Sequence, residues 1–102
     1  MLNFFKKLFA GNQTDYAALV KAGAVIIDVR TESEYRSGHI KGSKNIPLQA
    51  LEQKANSLNK EKPIITCCAS GMRSAAAKNV LLNRGFKEVY NGGGWQRLRS
   101  KI

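Results

Sequence analysis

Two short, unbroken apolar runs constrain the fold more than any other feature: AVIIDV at 24–29 and IITCC at 64–68. Each has strand length and lacks the alternation of a half-exposed strand, so each is read as buried on both faces. Strands buried on both faces need helices above and below them, and the intervening segments supply candidates. Thr14 is predicted to cap a helix running to about Lys21, with Gly23 as its stop. Thr31 and Glu34 have capping-box spacing, which predicts a short helix ended by Gly38. Asn45 and Ile46 predict a short strand broken by Pro47, and Leu48, Leu51, Ala55 and Leu58 mark one face of a helix. After Pro63 the second apolar run is a strand from Ile64 to Cys67 or Cys68. A helix is then expected from Arg73 or Ser74, with Ala77, Val80, Leu81 and Arg84 on one face and Gly85 just past its end. A fourth strand, Glu88 to Tyr90, runs into Asn91 and three glycines. Strands alternating with helices predict an α/β fold around a mostly parallel sheet.

The chain's 102 residues leave room for one ordinary domain, and its 25 Leu, Ile, Val and Phe suffice for a modest core. That domain is expected over 13–102. Residues 1–12, MLNFFKKLFAGN, are expected to form a short amphipathic helix and linker, packed on the domain's own core or making weak contact with a membrane surface. No run approaches the length of a membrane span, and the lysines inside the first apolar patch do not fit a cleaved signal. The two cysteines are adjacent and only one histidine is present, so neither a zinc site nor a disulfide framework is expected. Free thiols point to the cytoplasm. Seventeen basic against seven acidic residues favour anionic partners without specifying which.

In an open parallel sheet, sites form where strand carboxyl ends meet helix N-termini. Three segments qualify here: Asp28-Val29-Arg30, Cys68 to Arg73, and Asn91 to Gly94. The second carries the chemistry. A cysteine ends a buried strand, a small loop follows, and a helix begins. Backbone N–H groups curling onto a helix start form an anion-binding nest, and that field, with the charge of Arg73, favours thiolate over thiol. Gly71 frees the backbone for positive φ, and Ala69 and Ser70 leave the mouth of the loop open.

Cys68-Ala69-Ser70-Gly71-Met72-Arg73-Ser74 resembles the active loop of the rhodanese-like sulfurtransferases. DVRTESEYRSGHIKGSKNIP, from Asp28 to Pro47, is similar to that family's upstream signature. Gly85-Phe86, Val89-Tyr90 and Gly92-Gly93-Gly94-Trp95 resemble its closing motif. The resemblance covers about residues 13–98 and implies an open five-stranded, mostly parallel sheet with helices on both faces. It also implies that Cys68 carries a persulfide, taking sulfur from a donor such as thiosulfate or a persulfide and passing it to cyanide or a thiol. Ala69, Ser70, Gly71, Met72, Arg73 and Ser74 would bind the substrate anion, with no cofactor or metal. Ala69, Ser70 and Met72 are neutral where the best thiosulfate users carry extra basic residues, so a persulfide donor and an apolar or protein-bound acceptor also fit.

The doubled cysteine leaves two registers. Counted from Cys68 the loop is C-x4-R; counted from Cys67 it is C-x5-R, the spacing of small phosphatases and arsenate reductases. The flanking motifs favour Cys68, which leaves Cys67 as a packed apolar residue. Asp28, Arg30 and Glu34 stand behind the loop as candidates for tuning it, although Arg30 and Glu34, four apart, are expected to form an ion pair with each other. His39 is expected to fasten its turn by hydrogen bonds. Gly92–Gly94 read either as a second anion nest or as a tight strand-to-helix connection, and Trp95 as core or loop support. Lys41, Lys44 and Lys87 are expected to ring the same sheet end as Arg73, while Lys54, Lys60, Lys62 and Lys78 are solvated. A third reading is a non-catalytic sulfur-relay or docking module with an acidic protein partner. Nucleic acid is not expected, because no RNA-binding signature is visible, and a monomer is the expected state.

Overall fold

The structure is a computed structural model and describes residues 14–102. The amphipathic helix expected at 1–12 lies outside the described residues. Four parallel strands form one sheet in the order β2-β1-β3-β4: β1 is Val25–Asp28, β2 Lys44–Asn45, β3 Ile64–Cys68 and β4 Val89–Gly94. The α/β architecture is as the sequence predicts, but the described residues contain four strands, not five. Helix α1 (Tyr16–Lys21) precedes β1, α2 (Glu32–Ser37) follows it, and α3 (Leu48–Lys54) continues into a 3-10 turn over Ala55–Ser57. Helix α4 (Met72–Asn83) follows β3, and α5 (Trp95–Arg99) follows β4 directly.

Alternation along the two apolar runs builds a core on each face of the sheet. Ile27, Val29, Ile64, Cys68 and Val89 pack with Leu51, Ala55, Ala77 and Leu81 of α3, the 3-10 turn and α4. Ile26, Ile65, Cys67 and Tyr90 point the other way and pack with Leu19 of α1 and Leu98 of α5. The adjacent cysteines therefore belong to opposite cores. This is the physical reason that a doubled cysteine is compatible with one buried strand.

Element ends differ from the sequence reading in several places, among them β2, which ends at Asn45, and α3, which ends at Lys54 before its 3-10 turn. Asp15, not Thr14, caps α1, accepting a hydrogen bond from Ala18 N–H at 3.0 Å. Helix α4 begins one residue early, at Met72, because Gly71 at φ 111° turns the chain into it. β4 extends through all three glycines and passes directly into α5 at Trp95, the tight strand-to-helix connection that is one of the two readings of these glycines. The Thr31–Glu34 capping box is formed in both directions. His39 does fasten its turn: Nδ1 lies 2.8 Å from Tyr35 O, and its ring stacks on that of Tyr35.

The β3–β4 pairing explains the glycines. Thr66 faces Asn91, but Cys68 faces Gly94, so β4 spends one more residue than β3 over this stretch. A Cβ at Gly92 would lie 2.9 Å from Thr66 O and 2.8 Å from the Ile65 side chain, and one at Gly94 would lie 2.9 Å from Ala69 O. The bulge thus presses backbone against backbone directly beneath the Cys68 loop. Because the Thr66 carbonyl is held in the ladder and cannot move aside, Gly92→Ala is expected to cost about 2 kcal/mol or more of stability. Urea unfolding followed by circular dichroism measures this, and a wild-type midpoint would show that the contact can relax.

Candidate active site

The carboxyl ends of β1, β3 and β4 lie level, with Asp28 beside Cys67 and Cys68 beside Gly94. From this rim the loop 69–71 turns onto the start of α4. Cys68 is 1% exposed, and its sulfur lies on the floor of the turn. Gly71 N–H donates to it at 2.9 Å and Ser74 N–H at 3.4 Å, while the Ser74 hydroxyl oxygen lies 3.5 Å away. Burial pushes the Cys68 thiol up, but hydrogen bonds from the Ser74 hydroxyl and from Ser74, Gly71 and Ser70 N–H together outweigh it and leave the group below its ordinary value. Ala69, Ser70 and Met72 are exposed around the mouth, Met72 to 82%. A cleft of about 330 Å³ beside the loop is lined by Ala69, Ser70, Gly94, Gln96 and Arg97.

Cys67 is as buried as Cys68 but differs in the core it enters and in its ionisation. It is fully buried in the opposite core, and burial first, then the charge of Asp28, pushes its thiol up to about 12. The C-x5-R register therefore aims its sulfur away from the loop. A phosphatase or arsenate-reductase nucleophile at Cys67 would have neither access nor ionisation.

The residues behind the loop are brought together, but with different partners from those the spacing suggests. Arg30 does not pair with the Glu34 carboxylate. Its Nε lies 2.9 and 3.0 Å from the two Asp28 carboxylate oxygens and its Nη2 lies 2.7 Å from one of them, while the remaining donors reach Gly38 O at 2.7 Å and Glu34 O at 3.2 Å. The Arg30 guanidinium also stacks over Trp95, with its carbon 4.6 Å from the ring centroid. This leaves the Glu34 carboxylate free to clamp Arg73 in a two-pronged ion pair at 2.7 and 3.0 Å. The charge of Arg73 is thus shared with Glu34, and the nearest donors to sulfur are the backbone N–H groups of Gly71 and Ser74. One of the expected ring of lysines stands elsewhere. Lys44 pairs with Ile27, one residue short of the carboxyl end of β1, and also lines a cleft with Val25 and Ile64, whereas Lys87 N–H bonds Lys60 O and its side chain pairs with Glu61, so Lys87 stands at the opposite end of the sheet.

Sequence reasoning missed Thr66, and it named Asn91 only as the start of the third candidate segment, without a role. Thr66 Oγ1, fully buried, bonds Ser74 O at 2.8 Å and ties the first turn of α4 to β3. Asn91 on β4 accepts from the Ser74 hydroxyl at 2.6 Å and from Gly93 N–H at 2.9 Å through Oδ1, and its Nδ2 lies 3.4 Å from Gly71 O. Polar residues inside otherwise apolar strands were the available signal. Among the described residues no group of three His, Cys, Asp or Glu side chains is placed to hold a metal ion, and no helix is long and apolar enough to cross a membrane.

Residues 12–101 match the Rhodanese-like domain family. YqhL of Bacillus subtilis is 40% identical over 80 residues, 78% of this chain and 64% of that protein, so the chain spans somewhat under two thirds of its length. The thiosulfate sulfurtransferase GlpE of Stutzerimonas stutzeri is 36% identical over 83 residues, 80% of this chain and 76% of GlpE. Among solved structures, a rhodanese with anions from E. coli superposes with a TM-score of 0.69 at 31% identity, covering 74% of this chain and 91% of that one.

The Glu34–Arg73 clamp has a pH signature. The hydrogen bond from Arg73, then that from Thr31 N–H, holds the Glu34 carboxyl at about 2 against an ordinary 4.5. A carboxyl depressed by folding adds stability in full above its unfolded value and loses it as the pH falls through the folded one. Glu34→Gln should therefore lower Tm at neutral pH, and its deficit should shrink below about pH 4.5 and close near pH 2. Thermal melts of both proteins across that window test this, and a deficit independent of pH would show that the carboxylate charge is not what holds the clamp.

Proposed function

Because the chain belongs to the rhodanese-like domain family, we propose that it is a sulfurtransferase with Cys68 as the nucleophile, acting in the cytoplasm as a monomer. The observation that carries the reading is the convergence of Gly71 N–H and Ser74 N–H on the Cys68 sulfur. Donors aimed at a sulfur stabilise it as thiolate and continue to stabilise negative charge that develops just beyond it. The Cys68 thiolate attacks the outer sulfur of thiosulfate; a new S–S bond forms, the old one breaks, and sulfite leaves with the electron pair. Cys68 then carries a persulfide whose charge rests on the terminal sulfur. The N–H groups at the start of α4 lack acceptors within the helix and are placed to receive that charge. Cyanide or a thiolate next attacks the terminal sulfur, and the Cys68 thiolate is restored. No proton leaves carbon or oxygen in either half, so the loop needs no general base.

The neutral residues at the mouth leave donor recognition to the backbone and to Arg97. Met72, the most exposed large apolar side chain described, suits an apolar or protein-bound thiol acceptor, and the same persulfide serves a sulfur relay to an acidic partner protein.

Intact mass after incubation with thiosulfate is expected to rise by one sulfur atom, to revert with cyanide, to persist in Cys67→Ser and to disappear in Cys68→Ser. Loading that survives in Cys68→Ser would overturn the assignment. Arg97 lines the cleft beside the loop with no ion-pair partner among the described residues. Arg97→Ala is expected to raise KM for thiosulfate about three-fold, the size of one partly solvated charge contact, with kcat little changed. Steady-state thiocyanate formation measures both constants, and an unchanged KM would remove Arg97 from the donor site.

A further inference from the structure

The Ser74 hydroxyl has one proton to give and three acceptors around it. Asn91 Oδ1 lies at 2.6 Å, Gly71 O at 3.0 Å and Cys68 Sγ at 3.5 Å. The orientation of the Asn91 amide is fixed by its other contacts: Oδ1 faces the Gly93 N–H, and Nδ2 faces the Gly71 carbonyl. Oδ1 can therefore only accept, and its contact with Ser74 is the shortest of the three. With the proton directed to Asn91, a lone pair of Ser74 Oγ faces Cys68. A thiol satisfies that lone pair by donating its S–H. A thiolate cannot, and would meet it with like charge density, so ionisation of Cys68 requires Ser74 to turn its proton from Asn91 to sulfur.

We propose that Asn91 is a positioning residue that restrains ionisation of Cys68 by competing with the sulfur for the single proton of Ser74. When Cys68 loses its proton to water, Ser74 Oγ–H rotates toward Sγ and Asn91 Oδ1 keeps only the Gly93 N–H. When Cys68 is bonded to a second sulfur, its own sulfur carries no full charge and the hydroxyl can return to Asn91. The competition therefore disfavours the bare thiolate relative to both the thiol and the loaded form. The other charged groups facing the sulfur are held in their own pairs: Arg73 of α4 with Glu34 of α2, and Arg30 with Asp28 at the end of β1, while Cys67 of β3 faces the opposite core. Glu88, next to β4, is bonded to the Tyr90 hydroxyl at the far end of that strand, and Arg97 of α5 lies across the cleft. None of these pairs includes Asn91.

The inference rests on Cys68 as the nucleophile, but its test does not require sulfur transfer. The rate of Cys68 alkylation by iodoacetamide is followed against pH in full-length Cys67→Ala protein carrying Asn91, Asn91→Leu or Asn91→Asp, each with Ser74 or Ser74→Ala. Leucine removes the acceptor at similar volume, so the titration midpoint should fall and the thiolate fraction below it should rise about five-fold, the worth of one hydrogen bond. In Ser74→Ala that gain should vanish. An unchanged or raised midpoint in a folded Asn91→Leu protein, or the same fall without Ser74, overturns the proposal. If Asn91→Leu does not fold, Asn91→Asp decides: as a stronger acceptor and a charge it should raise the midpoint more with Ser74 than without it, and equal rises overturn the proposal. Failure of wild-type protein to load sulfur would count against the sulfurtransferase reading and leave these midpoints untouched.

Discussion

The buried ion pair between Asp28 and Arg30 is the contact on which the rest of the rim depends. Both residues are nearly inaccessible to water, at 0% and 4% exposure, and a pair so placed is costly unless its hydrogen bonds are complete. Here they are. Asp28 receives the Arg30 backbone N–H as well as the guanidinium, and the guanidinium gives its remaining protons to the carbonyls of Glu34 and Gly38. Asn45 Nδ2 closes the other side by donating to the carbonyls of Asp28 and Arg30. The consequence is mechanical. Two carbonyls of the α2 region are tied to the end of β1, and α2 is thereby set where the Glu34 side chain meets Arg73, 39 residues further along the chain.

That chain of contacts reassigns the work of the two arginines. Arg30 is a structural cation, held by Asp28 beneath it and by the face of Trp95 beside it. Arg73 anchors the first turn of α4 to α2, and much of its field is spent on Glu34. The electrostatics at the sulfur come instead from oriented dipoles close at hand, the N–H groups of Gly71 and Ser74. In the proposed passage of charge from thiolate to persulfide, dipoles fixed by the fold would need no reorganisation. The bulge in β4 serves the same end, because Gly92 and Gly94 let β4 approach Thr66 and Ala69 closely enough to bring Asn91 against the loop.

The elements of the fold were legible because their signals are local. The apolar runs, the Thr31–Glu34 box and Gly71 each act within a few residues. The Cys68 loop was legible for the same reason, since its strand, turn and helix start are contiguous. What escaped was whatever depends on register between distant segments. Spacing of four residues suggested Arg30 with Glu34, but Asp28 is nearer to Arg30 and already desolvated, so it takes the guanidinium and releases Glu34 to Arg73. Thr66 and Asn91 look like polar interruptions of strands until the bulged pairing sets Asn91 beside Ser74. Lys87 lies at the other end because a parallel sheet sends each connection back to the amino ends before the next strand begins.

The excess positive charge of the whole chain, +10, can now be separated from the chemistry. Two arginines that lie against the rim are neutralised locally by Asp28 and Glu34, and Lys87 stands at the far end of the sheet, paired with Glu61. A diffuse field of this kind draws anions toward the molecule without choosing among them. Selection falls to a floor of fixed donors around one sulfur, and to how readily that sulfur ionises. On the proposed chemistry such a site discriminates by charge placement within a few ångströms, so substitutions at Ser74 or Asn91 would reach it more directly than loss of any surface lysine.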